Sequence, residues 1–170
     1  SAMHNFKGNS MGNTAVGSQA LYSLINQGAN TAIGNRTLYN NKGTANTALG
    51  DYTLSSNDFG NYNTGLGAFS LYNSYGDNNS AVGESAMNDN TRGDDNTAFG
   101  VEAMYNNTLG NKNVAIGKSS LADNITGSKN TVIGYSADVS TTNQLNSTAI
   151  GANAQSNCSS CMVLGSVNGI

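Results

Sequence analysis

A five-residue pattern of two polar positions, a small one, a large apolar one and a glycine recurs along the chain. It reads Asn13-Thr14-Ala15-Val16-Gly17, then Asn30-Thr31-Ala32-Ile33-Gly34, Asn46-Thr47-Ala48-Leu49-Gly50 and Asn63-Thr64-Gly65-Leu66-Gly67. It continues at 79–83, 96–100, 113–117, 130–134 and 147–151 and decays to Cys161-Met162-Val163-Leu164-Gly165, ten copies in all. From Gly17 to Gly151 the closing glycines lie 17, 16, 17, 16, 17, 17, 17 and 17 residues apart, and the last step, to Gly165, is 14. A fixed short period marks a stacked repeat, in which each unit buries its apolar side against the next. A continuous helix would not tolerate the alternation of 16 and 17, because one added residue rotates everything after it. A solenoid absorbs that residue in a loop.

Read as columns, the copies divide into apolar and small positions. The residue before each glycine is large and apolar throughout: Val16, Ile33, Leu49, Leu66, Val82, Phe99, Ile116, Ile133, Ile150 and Leu164. Four residues after the glycine stands a second apolar column, Leu21, Leu38, Leu54, Leu71, Met87, Met104 and Leu121, which fails at Asp138. These two columns are expected to fill each coil. The position two before the glycine is almost always Ala, and the position three after it is Ala, Thr or Ser. Side chains alternate faces along a strand, so the small column is expected to point the other way, as a smooth strip open to another backbone. Two large side chains contribute about 2 kcal/mol each, against about 1 to 2 kcal/mol of backbone entropy for every ordered residue. An isolated coil is therefore unstable, and chains are expected to associate along the smooth strip. The predicted fold is all-β, a parallel β-solenoid of about ten coils of 16–17 residues, with three chains forming a fibre segment. At a strand spacing of about 4.7 Å the rod would be roughly 45 to 50 Å long.

Ser1-Ala2-Met3 reads as an expression-vector scar, set aside from fold reasoning, and Lys7 to Gly12 as the tail of a preceding coil. The expected division is 1–12 scar and partial coil, 13–151 solenoid, and 152–170 a shortened last coil with a transition to a following segment. Variable loops such as Ser56-Asn57-Asp58-Phe59-Gly60, Asn73-Ser74-Tyr75-Gly76 and Asp89-Asn90-Thr91-Arg92-Gly93 separate the second apolar column from the next phrase. Asn and Gly there suit the positive φ of tight turns. Loops of repeat proteins collect on one face and carry binding, which makes Phe59, Tyr62, Tyr75 and Arg92 the candidate ligand contacts. Tyr22, Tyr39, Tyr72 and Tyr105, each five after a glycine, read instead as packing at a coil edge.

Composition narrows the function classes. Charged residues are only 10%, Gly numbers 21, and Pro and Trp are absent, which favours turns and short strands. Disorder is the competing reading of such low complexity, but a disordered tract has no reason to keep an apolar residue at one place in every copy. A net charge of −3 and a pI near 4.7 provide no basic surface for nucleic acid. No apolar run is long enough to cross a bilayer, so no membrane insertion of this segment is expected. No signal peptide is visible, as in an excised fragment. The acids are scattered over exposed columns and loops and His4 has no chemical partner, so no enzyme, cofactor or metal site is expected. Cys158 and Cys161 leave three readings open: a disulfide, packed thiols in a turn, or half of a metal site.

The repeated phrase resembles the head repeats of trimeric autotransporter adhesins, whose short coils carry an Asn-Ser/Thr-x-Ala-Ile-Gly-like core. It is similar also to adhesive and tail-fibre proteins of bacteria and viruses. Asn146-Ser147-Thr148-Ala149-Ile150-Gly151-Ala152-Asn153-Ala154 with Val163-Leu164-Gly165 carries the nearest likeness. The earlier copies are two or three residues longer, with the added Leu/Met column and loop. The resemblance implies a left-handed parallel β-roll in a homotrimer, an extracellular place on a cell surface or virion fibre, and attachment to a host, prey or matrix surface through a glycan or protein ligand. It carries over no individual binding residue. Two further functional readings come from the residues themselves. Thr14, Thr31, Thr47, Thr64, Thr97, Thr131 and Thr148 form a column suited to ice binding, and a fibre of this kind also suits a glycan hydrolase built between chains.

Overall fold

The computed structural model describes residues 1–7 and 11–165. Gly8-Asn9-Ser10 of the preceding-coil tail, and 166–170 of the closing segment, lie outside the described residues. The strands in chain order are β1 (Asn5–Lys7), β2 (Thr14–Val16), β3 (Ser23–Ile25), β4 (Thr31–Ile33), β5 (Asn40–Asn41), β6 (Thr47–Leu49), β7 (Thr64–Leu66) and β8 (Ser80–Val82). They continue as β9 (Thr97–Phe99), β10 (Val114–Ile116), β11 (Thr131–Ile133), β12 (Asp138–Val139), β13 (Thr148–Ile150), β14 (Gln155–Ser156) and β15 (Met162–Leu164). Every copy of the phrase supplies one three-residue strand, and the ten strands form a single parallel sheet in the order β2-β4-β6-β7-β8-β9-β10-β11-β13-β15. The register is phrase on phrase: Thr14 opposite Thr31, Ala15 opposite Ala32, Val16 opposite Ile33, and so on along the rod. The chain is thus an all-β parallel solenoid of about nine turns, with no helix among the described residues. Nine steps of about 4.8 Å separate its first and last phrase strands by roughly 43 Å. Smaller parallel sheets, β1-β3-β5 and β12-β14, form a second wall near the two ends. The amino-terminal residues join this architecture, since Met3 N–H donates to Ala20 O at 2.9 Å and β1 pairs with β3.

The facing of the phrase reverses the expectation. The Ala column lies inside: Ala32, Ala48, Ala81, Ala98, Ala115 and Ala149 are wholly buried. The large column points out: Val16, Ile33, Leu49, Leu66, Phe99, Ile116, Ile150 and Leu164 are 37 to 70% exposed, and Val82 and Ile133 are half-buried. The cause is the narrow bore of the coil. Gly65 takes the Ala position where Thr53 intrudes, because a Cβ there would sit 2.6 Å from Thr53 Cγ2. The Leu/Met column from Leu21 to Leu121 is inside as expected, packed with the buried small column Ala20, Thr37, Thr53, Ser70, Ala86, Ala103 and Ser120. Neither small column is therefore a surface strip.

Asparagine fills the rest of the bore, a role the turn-forming reading missed. Asn30, Asn46, Asn63, Asn79, Asn96, Asn113 and Asn130 are wholly buried. Each backbone N–H donates to the Oδ1 of the preceding phrase asparagine at 2.8–3.0 Å. Each Nδ2 donates to a loop carbonyl, as Asn96 does to Gly110 O at 2.8 Å. A buried amide is stabilising only when its donors and acceptors are met, and stacking identical residues meets them in every coil. Positive φ falls mostly elsewhere: among the described non-glycine residues that adopt it, only Asn26, Asn78, Asn146 and Asn153 are asparagines. The others recur by column, including Leu38 (φ 50), Tyr52 (φ 54) and Lys112 (φ 57). The left-handed region costs an L-residue roughly 1 to 2 kcal/mol. Here it turns the N–H along the rod, so that Leu38 donates to Thr53 O, Tyr52 to Asn35 O and Lys112 to Asp94 O at 2.9–3.0 Å.

Candidate functional site

The two coil lengths shape the loop edge. Between the buried column Asn41, Asn57, Ser74, Asn90, Asn107, Asn124 and the loop glycine that follows each, the 17-residue coils place two residues and the 16-residue coils one. Asp58-Phe59 and Thr91-Arg92 are pairs, whereas Tyr75 stands alone between Ser74 and Gly76. The loop glycines cannot shift to compensate, because they stack backbone on backbone: a Cβ on Gly76 would lie 2.1 Å from Gly93 O. The missing residue leaves a notch with Tyr75 at its floor and the longer loops rising on either side. That cleft, of about 320 Å³, is lined by Asp58, Phe59, Tyr75 and Arg92. Three of the four candidate contacts thus meet in one place. Tyr62, 64% exposed, does not line it and sits one residue before the next phrase.

Each wall of the notch has identifiable supports. Phe59 is 69% exposed, and its carbonyl accepts Asn61 Nδ2 at 3.0 Å. Lys42, from the neighbouring short coil, reaches Asp58 Oδ1 at 2.9 Å and lies 5.4 Å from the Phe59 ring centroid. Arg92 is exposed, its backbone N–H donates to Thr108 O at 2.8 Å, and no carboxylate lies within ion-pair distance of its guanidinium among the described residues. Behind Tyr75 the second asparagine ladder is broken. Asn107 donates to Asn90 Oδ1 and Asn124 to Asn107 Oδ1 at 2.7 Å, but Ser74 offers no equivalent donor and the buried Asn57 Oδ1 has no partner. Just past the loop glycines, Asp77 and Asp94 take backbone N–H donors from the preceding coil, Asn61 to Asp77 at 2.7 Å and Asp77 to Asp94 at 2.8 Å.

Other surfaces are less suited to a ligand. A cleft of about 410 Å³ between Asp89, Asn106, Asp123 and Thr142 opens where the repeat changes, and it has no aromatic lining. Beside it Asp138 occupies the place that Leu121 holds one coil earlier. Burial pushes its carboxyl up to about 6, helped by the charge of Asp123 and opposed by the N–H groups of Val139 and Asp123. Of the tyrosines five after the glycine, Tyr22 stacks on Tyr39 at 4.9 Å and Tyr72 meets the Phe69 ring edge-on at 5.9 Å. His4 does have a partner, since it stacks on Tyr22 at 5.0 Å. Sequence reading missed the continuation of this strip through Tyr52, stacked on Phe69 at 5.4 Å, and Arg36, which donates to Tyr52 Oη at 3.0 Å. The signal was available in the position two after the glycine, where Arg36, Tyr52 and Phe69 follow one another. Cys158 and Cys161 are disulfide-bonded, and among the described residues no three His, Cys, Asp or Glu side chains group as metal ligands. Comparison with family models, curated proteins and solved structures found no match.

Proposed function

We propose that this chain is a structural and adhesive segment of an extracellular homotrimeric fibre, similar in kind to the left-handed β-roll heads it resembles, attaching to a host, prey or matrix surface through its loop edge. The observation that carries the proposal is the outward apolar ladder from Val16 to Leu164, a row of aliphatic and aromatic side chains, one from each strand, on one face of the ten-stranded sheet. A continuous exposed apolar patch of several hundred Å² is on the order of what marks an association surface rather than a monomer's scatter. A row parallel to the rod axis suits side-by-side packing about that axis, which closes with three chains and leaves the loop edges outside. The trimer interface is thereby assigned to the large column instead of the Ala strip. The Cys158–Cys161 disulfide favours an oxidising, extracellular setting. Sedimentation is the test: a trimer at micromolar concentration is expected, with Leu66→Asp and Ile116→Asp giving folded monomers. A wild-type monomer that is well folded would overturn the proposal.

One observation favours ice binding as a second reading. Thr14, Thr31, Thr47 and Thr64 stand in register on the same outward face as the apolar ladder, and Thr97, Thr131 and Thr148 continue the column with Ser80 and Val114 interrupting it. Two columns on one face, hydroxyl and aliphatic, make a wider array than threonine alone. Thermal hysteresis in a nanolitre osmometer separates the readings, because a face buried in a trimer presents nothing to ice.

A further inference from the structure

We propose that the notch between Phe59 and Arg92 is a saccharide subsite that takes one neutral pyranose ring. This inference rests on the adhesive reading and names the ligand class of its loop edge. The geometry is that of a ring-sized slot. Phe59 and Arg92 stand on coils two steps apart, about 9.5 Å at the strand spacing, with the short coil of Tyr75 recessed between them. A volume of about 320 Å³ is at the small end for ligand clefts, which favours a single ring over an oligosaccharide.

The chemistry of the walls matches a sugar on each side. A pyranose presents an apolar face of C–H groups, which the exposed Phe59 ring and the Tyr75 floor cover without requiring a charge. It presents hydroxyls at its rim, each both donor and acceptor. Asp58 accepts from such a rim and Arg92 donates to it, and Lys42 holds the Asp58 carboxylate in place at 2.9 Å. Arg92 is left with unused donors, since no carboxylate pairs with it among the described residues.

Charge decides between a neutral and an acidic sugar. Arg92 alone would favour a carboxylated ring, but Asp77 and Asp94 stand on the column just beyond the loop glycines. Asp94 Oδ1 is only 3.0 Å from where a Cβ on Gly76 would be. With the Lys42–Asp58 pair neutral overall, an anionic ligand meets more negative than positive charge at this floor, and the whole chain carries −3. The 16-residue coil is therefore the device that makes the site: a deletion in the loop creates a concavity that no uniform 17-residue array would contain.

The test is saturation-transfer NMR and titration of the full chain with the methyl glycosides of glucose, galactose, mannose and N-acetylglucosamine, and with glucuronate and N-acetylneuraminate as acidic comparators. At least one neutral glycoside is expected to bind, at the millimolar strength usual for one ring. Phe59→Ala and Arg92→Ala, both at exposed positions, are each expected to weaken it tenfold or more, while Tyr62→Ala leaves it unchanged. Inserting one Thr between Tyr75 and Gly76, which restores the 17-residue spacing, is expected to abolish binding. Absence of binding by every neutral glycoside, tighter binding of the acidic pair, or full affinity in Phe59→Ala would each overturn the proposal. Sedimentation of the same samples keeps this outcome apart from the fibre reading, since a trimer that binds no sugar refutes the subsite alone.

Discussion

The sheet face and the loop edge belong to the same coils, yet they obey different rules. On the sheet face ten strands repeat in strict register, and the large apolar residue of each strand meets another large apolar residue above or below. At the loop edge the coils differ by one residue, the asparagine ladder is interrupted at Ser74, and Lys42, Phe59, Tyr75 and Arg92 succeed one another before the same glycine column. Glycine separates the two regimes. The closing glycines of the phrase (φ 125 to 142 for Gly17 through Gly151) and the loop glycines each stack on the next, so length variation on one side is not transmitted to the other. Regularity specifies the rod, and irregularity is confined to where it adds chemistry without a cost to the rod.

The largest effect is expected where that separation is attacked directly. Gly100→Ala puts a Cβ 2.4 Å from Gly117 O at φ +141 and should destabilise the protein by more than about 3 kcal/mol. Thermal melting followed by circular dichroism should show a midpoint lower by about 6 to 12 °C for a chain of this size. Next in size is Asn96→Ala, which strands the buried Asn113 N–H and leaves Gly110 C=O with Asn107 Nδ2 as its one remaining side-chain donor, and which should cost about 2 kcal/mol by urea titration. A smaller change, of opposite sign, is expected at Asp138. Its folded carboxyl titrates near 6 against 3.8 unfolded, so the folded state holds the proton more tightly and stability falls as pH rises through that window. Asp138→Asn should therefore gain about 1 to 2 kcal/mol at pH 7.5, allowing for partial solvent contact, and almost nothing at pH 4. Tyr62→Ala, exposed and outside the notch, should change stability by no more than about 0.5 kcal/mol. A loop substitution as damaging as Asn96→Ala would erase the contrast between the two faces.

The repeat, the strand positions and their register were legible because each phrase carries its glycine and its neighbours in fixed order. The sense of the alternation was not. A three-residue strand such as Thr47-Ala48-Leu49 states which residues share a face, but whether Leu49 or Ala48 points inward depends on the bore of the coil, a quantity set by chain geometry rather than by hydropathy. Leu54 was read correctly because it has no competing partner on its segment. Asn96 and its kind were misread for a different reason: single-chain propensity assigns asparagine to turns, whereas stacking identical copies satisfies its amide inside. At the loop edge, the aromatic and arginine positions marked Phe59, Tyr75 and Arg92 as candidates, but their convergence needed the 16-residue coil to be placed between its longer neighbours.

The axial N–H donors of residues such as Leu38, Tyr52 and Lys112 also give the rod a mechanical character. Tension applied between its two ends pulls along those hydrogen bonds, and the terminal coil bears the load before any inner one does. Yield should then proceed one coil at a time, each releasing 16 or 17 residues, or 14 for the coil that ends at Gly165. At about 3.3 to 3.6 Å per extended residue, less the coil step, every event lengthens the chain by roughly 50 Å. A rod built this way lengthens under load in small steps and keeps its remaining coils intact.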